Sequence, residues 1–325
     1  MSQACVSKYL NNKPYVSKKT KEKIKKAIEK LNYRPSAIAR SLVSKKTNKI
    51  GVLVWDITNP YQTKIIRKIE EYKTLHNLHY DILLIDMKNK EGVGDKYINT
   101  MLENRVVGIV TTSDKISIDR IKFLKEIKLP IIFIGRRINV PDIDLDYVMV
   151  DNMKGAYSIT KYLLNLGHRK IIHLTGPLNT SVSYDRLKGY EKAMKEFGIK
   201  DIKENLINLG DFTFESGTNA AKNIFSAKVW PTAIFCANDF SAFGVMDYCY
   251  KHDIKIPEDV SIAGFDDINF SSLSFINLTT VKQPIKKICE TAAKALFEKI
   301  KTGDDKLVQI ILEPELKIRK STRAL

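Results

Sequence analysis

The chain has 325 residues, enough for about two domains at roughly 150 residues each. Apolar residues make up 44% and charged residues 28%, which excludes a disordered chain, and no run approaches the ~18 apolar residues of a membrane span. The formal net charge of +17 is uneven: residues 1–49 carry 14 Lys/Arg against 2 Glu, and residues 50–325 carry 40 basic against 35 acidic residues.

A basic head therefore precedes a nearly balanced body, which suits a polyanion partner; a merely solvated basic tail is the competing reading. On a helical wheel of residues 2–10, Val6, Tyr9 and Leu10 share one arc with Cys5 at its edge. Gln3, Ala4, Ser7 and Lys8 share the other, and Ser2 is a suitable N-cap. One face can pack. The other offers an amide, a small side chain, a hydroxyl and an ammonium, groups that suit base edges and phosphates in a major groove. A second helix is predicted from Ser17 to about Leu31, with Ile24, Ala27, Ile28 and Leu31 as its apolar stripe and lysines on its other faces. Asn32-Tyr33-Arg34-Pro35 stops it. A third helical segment, 36–43, has too few apolar residues to stand alone and is expected to order only on a partner surface.

From Asn48 on, strand-length apolar runs alternate with helical patterns. Strands are predicted at 50–55, 80–86, 106–111, 130–134, 147–150, 170–175, 232–236 and 260–265, and helices include 60–75, 154–166, 185–197, 215–225 and 240–251. Repeated βα units give α/β doubly wound parallel sheets, and the number of strands divides the body into two subdomains near 150. Several strands end in polar residues: Asp56, Asp86, Asp151, Asn238–Asp239 and Asp266–Asp267. Ligands bind beyond the carboxyl ends of such strands, so two facing edges predict a cleft lined with carboxylates and amides. Helix capping is the competing role for each residue singly.

Enzyme signatures are mostly absent: no GxxxxGK[ST], no GxGxxG after the first strand, no GxSxG and no HExxH, although the fold alone does not exclude an enzyme. Four cysteines without CxxC spacing fit reduced thiols and a cytoplasmic setting, with no metal site or cofactor expected. The amino terminus lacks the apolar stretch of a secretory signal.

The strings SQACVSKYLN, VSKKTKEKIKKAIEKLNYRPSAIARSL and KKTNKIGVLVWDITNPY resemble the amino-terminal part of a LacI/GalR-family transcriptional regulator. The likeness continues through VDNMKGAY, LLNLGHRKIIHLTGP, DRLKGYEKAM, GDFTFESG, PTAIFCANDFSAFG, IPEDVSIAGFDD and LTTVKQP, and so spans essentially the whole chain. It implies a helix-turn-helix head at 1–35, a hinge helix and linker at 36–48, and a periplasmic-binding-protein-like core at 49–325. The chain would cross between subdomains three times, with the last strands, near 309–320, in the carboxyl-terminal subdomain.

Carried over by the resemblance, Gln3, Ala4 and Lys8 match base-reading positions. Ser2, Ser7, Asn11 and Ser17 match supporting or phosphate-contacting ones, and Leu42 matches a minor-groove wedge. Tyr61, Arg186, Phe212, Asn238, Asp239, Asp266 and Gln283 match effector-contacting or adjacent positions. Their chemistry suits a polyol: Arg186 can fork onto hydroxyls, the carboxylates and amides can fix others, and aromatic rings can cover a sugar face. The plainer roles are an ion pair of Arg186 with Asp185 or a neighbouring acid, and a cap by Asp239 on a helix starting at Phe240. One departure stands out. Family members carry a further helix before the recognition helix, whereas this sequence opens on Met1 in the turn, so the face of Val6, Tyr9 and Leu10 is expected to lack a packing partner unless the true start lies upstream.

The expected protein is a cytoplasmic, homodimeric repressor of double-stranded operator DNA, controlled by a sugar or sugar phosphate, with a purine or nucleoside as the other effector class. A sugar receptor without DNA binding is the alternative.

Overall fold

A short apolar run such as IGVLV suits a strand covered on both faces. In the computed structural model of the protein this segment lies in β1 (Lys49–Val54), with Ile50, Val52, Leu53 and Val54 almost fully buried. The structure describes residues 2–10, 16–31, 47–87, 94–199, 202, 206–207 and 210–325. These fall into two units, Met1–Thr47 and Asn48–Leu325.

In the first unit, α1 (Gln3–Leu10) contacts α2 (Lys18–Lys30). Ser17 caps α2, its Oγ accepting from the Thr20 amide at 3.4 Å. Cys5, Val6 and Tyr9 are half-buried and Lys8 is exposed, as the two arcs require. The α2 stripe packs only in part: Ile24 is buried and Ile28 half-buried, but Ala27 and Leu31 are exposed among the described residues. The eight-residue α1 is too short to cover the 13-residue α2. The third helical segment, Asn11 and Leu42 lie outside the described residues, and for Gln3, Ala4 and Ser7 the structure gives only their place on α1.

In the second unit, β1 is followed by α3 (Pro60–Leu75), β2 (Asp81–Asp86), α4 (Gly94–Glu103), β3 (Ile109–Thr111), α5 (Ile118–Glu126), β4 (Ile131–Ile134) and β5 (Asp146–Val150). The chain then crosses to α6 (Asn152–Asn165), β6 (Ile171–Leu174), α7 (Ser181–Glu196), β7 (Leu206–Ile207), α8 (Phe214–Phe225), β8 (Ala233–Cys236), α9 (Asp239–Lys251), β9 (Ser261–Asp266) and β10 (Thr279–Lys282). It returns through α10 (Ile285–Thr302) and β11 (Gln309–Leu312), and crosses again to β12 (Glu315–Lys317). The sheets have the orders β11-β5-β4-β3-β1-β2 and β12-β10-β9-β8-β6-β7, parallel throughout except that β12 runs antiparallel to β10.

One expectation is corrected. Strand β11 pairs with β5, Gln309 opposite Tyr147, and so completes the first sheet; only β12 joins the second. Two helix starts also move upstream, because the caps lie earlier than the apolar pattern shows. Asp151 caps α6 by accepting from the Lys154 amide at 2.8 Å, and Thr180 caps α7 by accepting from the Ser183 amide at 3.2 Å.

Apolar layers cover both faces of each sheet. Ile98, Met101, Ile121 and Leu124 pack with Leu53 and Phe133 on one face of the first sheet, and Ala220, Ile224 and Val245 with Ile234 and Ile262 on one face of the second. A third cluster, from Ile65 and Leu296 to Tyr190 and Phe265, is continuous between the two sheets. Within the second subdomain α6 and α7 pack closely at Gly189, where a Cβ would stand 2.2 Å from the Met153 carbonyl oxygen. Overpacking of this kind costs about 1–3 kcal/mol. Gly189→Ala is therefore expected to destabilise the protein by that amount in urea unfolding, with a lower midpoint and an unchanged slope.

Candidate functional site

Both sheets place their second strand on the far side of the first, so each has a switch point between its first and third strands, where ligands of open α/β sheets bind beyond the carboxyl ends. A cleft of about 790 Å³ lies there. One wall comes from the loops after β1, β3 and β4: Trp55, Asp114, Lys115 and Arg136 to Asn139. The other comes from Pro177 to Ser181 after β6, from Tyr184 on α7, and from Asp211 and Phe212 after β7. Carboxylates and amides (Asp114, Asp211, Asn139, Asn179) thus share the lining with aromatic and cationic groups, but they are not the strand-end residues expected. The strand-end acids are consumed locally: Asp56 accepts from Thr58 N at 2.8 Å and Thr58 Oγ1 at 2.6 Å, and Asp267 pairs with Arg319 at 2.6 Å.

Of the residues singled out for the effector, Phe212 lines this cleft, Arg186, Asp266, Gln283 and Tyr61 form a buried polar network, and Asn238 and Asp239 are buried with partners of their own. Arg186 on α7 is 3% exposed. Its Nε donates to Asn152 Oδ1 at 2.9 Å and its NH1 donates to the Ala237 carbonyl. Its NH2 lies 3.6 Å from Asp266 Oδ1, and its guanidinium stacks on Phe265 at 3.6 Å. Asp266 also accepts from Gln283 Nε2 at 2.7 Å, and Gln283 Oε1 accepts from the Tyr61 hydroxyl at 3.0 Å. The network thus runs from the second subdomain to α3 of the first. Asn238 caps α9 through the Ser241 amide at 2.9 Å, and its Nδ2 donates to the Phe212 carbonyl at 3.0 Å.

Of the plainer roles, the one for Arg186 holds in its second form: it pairs with a neighbouring acid, Asp266, while Asp185 takes Arg137 at 2.9 Å. The one for Asp239 does not. Asn238, one residue earlier, is the cap, so Asp239 is free to tie the loop after β9, accepting from Ile268 N at 3.0 Å, Ser271 Oγ at 2.6 Å and Thr280 Oγ1 at 2.5 Å.

Burial sets the electrostatics. Loss of solvent pushes Asp266 up to about 6, opposed by Arg186, and Asp239 up to about 7, reinforced by Asp266. The Tyr61 hydroxyl rises for the same reason, and the Arg186 guanidinium is shifted down. Of the residues singled out for the effector, Phe212 at φ 69° and Asp266 at φ 123° carry backbone strain. Phe212 fits because Gly176 lies against its ring, where a Cβ would stand 2.3 Å away.

Sequence reasoning passed over Trp55, Arg136, Arg137, Asn152 and Tyr184. The available signal was position: Trp55 and the Gly135-Arg136-Arg137 run directly follow the ends of β1 and β4. Among the described residues there is no cluster able to hold a metal ion, and no helix long and apolar enough to cross a membrane.

Residues 1–36 match the family model described as bacterial regulatory proteins, lacI family, and residues 47–320 match that of periplasmic binding proteins and the sugar-binding domain of the LacI family. The chain belongs to the LacI family. It is 34% identical over 327 residues to the HTH-type transcriptional repressor PurR of Photobacterium profundum, covering 100% of this chain and 96% of the relative. The structure of the lac repressor dimer bound to operator and the anti-inducer ONPF matches with a TM-score of 0.84 at 26% identity, over 100% of this chain and 96% of that one. A LacI-family regulator from Enterococcus faecium with bound ribose matches with a TM-score of 0.75 at 28% identity, over 85% and 99% of the two chains. The protein is accordingly a DNA-binding transcriptional regulator under the control of a small molecule, with its LacI-family core formed by the two sheets.

Beneath the network, His173 is buried, with Nδ1 donating to the Phe235 carbonyl at 2.9 Å and its ring stacked on Phe235. Burial holds its pKa down to about 4, and Arg186 pushes the same way. The folded state therefore binds fewer protons than the unfolded state between the ordinary histidine value near 6.5 and about 4, so stability is lost as pH falls through that window. His173→Phe removes this term. Its melting temperature is expected to rise relative to that of the unsubstituted protein as pH falls from about 6.5 to 4, by differential scanning fluorimetry.

Proposed function

We propose that this LacI-family regulator is a cytoplasmic, homodimeric repressor, not a catalyst, whose operator affinity is set by a sugar-like effector in the cleft of its core. The observation that carries this reading is the correspondence of the whole chain, head and core together, to a repressor dimer bound to operator. The ribose complex of the Enterococcus faecium regulator supports a polyol effector.

In this reading, Gln3, Ala4 and Lys8 read bases, while Ser2, Ser7, Asn11 and Ser17 hold the backbone and Leu42 enters the minor groove. Lys8 is exposed on α1, and Ser17 is exposed while serving as the α2 cap. Phe212 covers one face of the effector. Tyr61, Arg186, Asn238, Asp239, Asp266 and Gln283 form the buried floor beneath it, held by their own hydrogen bonds, and the polar groups of the lining discriminate hydroxyl patterns because an unmatched buried polar group is costly. The effector changes the angle between subdomains, and that change sets operator affinity. Two contacts span the cleft mouth and would respond to such a change: Arg137 with Asp185 at 2.9 Å, and the Arg137 amide with Ser181 Oγ at 3.3 Å.

Titration of DNA from upstream of the protein's own gene, against scrambled DNA over a salt series, tests the reading. Saturable, selective binding is expected, with a selectivity ratio of about 10³ or more. Equal affinity for both DNAs, falling equally with salt, would refute it. Linkage adds a second requirement: effector affinity must differ with and without operator by the same factor that the effector imposes on operator binding.

A further inference from the structure

The two walls of the cleft differ in chemistry from a neutral sugar pocket. On one wall, the 16-residue helix α7 begins at the cavity, with its cap Thr180 and first residue Ser181 in the lining. The amides of a first helical turn carry the positive end of the helix dipole and suit an anion. On the other wall stands Arg136, 8% exposed and lining the same cavity. Its NH1 meets Asp114 at 3.0 Å, but its Nε is buried without a hydrogen-bond partner among the described residues. A buried donor left unpaired is costly and points to an acceptor that arrives with a ligand.

Lys115, Arg136 and Arg137 line the cavity with the carboxylates of Asp114 and Asp211, and Arg137 pairs with Asp185 at 2.9 Å. Asp211 is turned to its own loop, its Oδ1 accepting from Thr213 N at 3.0 Å and Thr213 Oγ1 at 2.5 Å. Asp114 is held by Arg136. The cleft therefore presents cationic side chains from the first subdomain and the amino end of α7 from the second, with both of its lining acids already engaged. Trp55, Tyr184 and Phe212 add apolar surface for the uncharged body of a ligand.

We propose that the cleft takes a polyol bearing an anionic group, phosphate or carboxylate, seated between the amino end of α7 and the Arg136 guanidinium. This rests on the cleft being the effector site. A ligand of this kind gives Arg136 Nε its acceptor, meets the helix dipole, and draws the two subdomains together through one group.

The test is thermal stabilisation followed by calorimetric titration of the full chain with matched probes: inorganic phosphate, glucose, glucose 6-phosphate and gluconate. Stabilisation by phosphate and by at least one anionic sugar, but not by glucose, is the expected result; glucose 6-phosphate against gluconate separates phosphate from carboxylate. Arg136→Met should weaken the anionic probes at least about tenfold. Asn179→Asp guards against a folding defect in that variant. Asn179 is exposed and lines the cavity beside the cap of α7, so an aspartate there keeps the shape and places a negative charge at the proposed seat; it should weaken the same probes by a similar factor at unchanged melting temperature. Glucose binding as tightly as its phosphate, or anionic probes unaffected by both substitutions, would overturn the anionic assignment while leaving the cleft as effector site. Absence of any response to all four probes would overturn it too, and operator titration would then judge the wider reading separately.

Discussion

The buried guanidinium of Arg186 is the constraint around which the core is arranged. A cation removed from water must find acceptors in every direction, and here they come from three separate places: Asn152 at the start of α6, the Ala237 carbonyl after β8, and Asp266 at the end of β9. Leaving such a charge unpaired costs about 3–5 kcal/mol, so each of these loops is held where the arginine needs it. The Phe265 ring packs on the same guanidinium, which ties the charge to the apolar core as well. Through Asp266, Gln283 and Tyr61 the constraint reaches the first subdomain.

The strained backbone at Phe212 and Asp266 is understandable in that setting. Residues in such regions cost about 1–3 kcal/mol each and persist only where their surroundings over-determine them. Asp266 is fixed by Arg186 and Gln283, and Phe212 by the Asn238 amide and the close passage of Gly176. The same contacts that satisfy buried polar atoms therefore aim one aromatic ring into the cleft and one carboxylate beneath it. The floor is built before any ligand arrives, whereas the rim, where Arg136, Arg137 and Tyr184 stand, retains polar capacity.

The sequence disclosed the alternation of strands and helices because buried parallel strands are written as continuous apolar runs. It did not disclose where β11 belongs, since QIIL is apolar enough for either sheet and only the pairing partner decides. Helix starts at Asn152 and Ser181 were hidden because first turns are polar and their caps, Asp151 and Thr180, look like loop residues. Polar residue types of the site were visible, but their connections were not. Whether a given aspartate caps, braces a loop or faces a ligand depends on a shift of one residue, as Asn238 and Asp239 show. The arginines after β4 carried no motif and became legible only when the opposite wall was in place.

The route of the chain has a consequence for its synthesis. The first sheet lacks its edge strand β11 until residue 312 has been made, and the second lacks β12 until residue 317, only a few residues later. Neither sheet has its full set of strands until the chain has passed α10. A nascent chain paused after β5 or β10 would expose an open strand edge, the kind of surface on which aggregation begins. Both subdomains thus gain their last strands within a few residues of each other, so one lobe is complete without the other only over the short stretch of chain between β11 and β12.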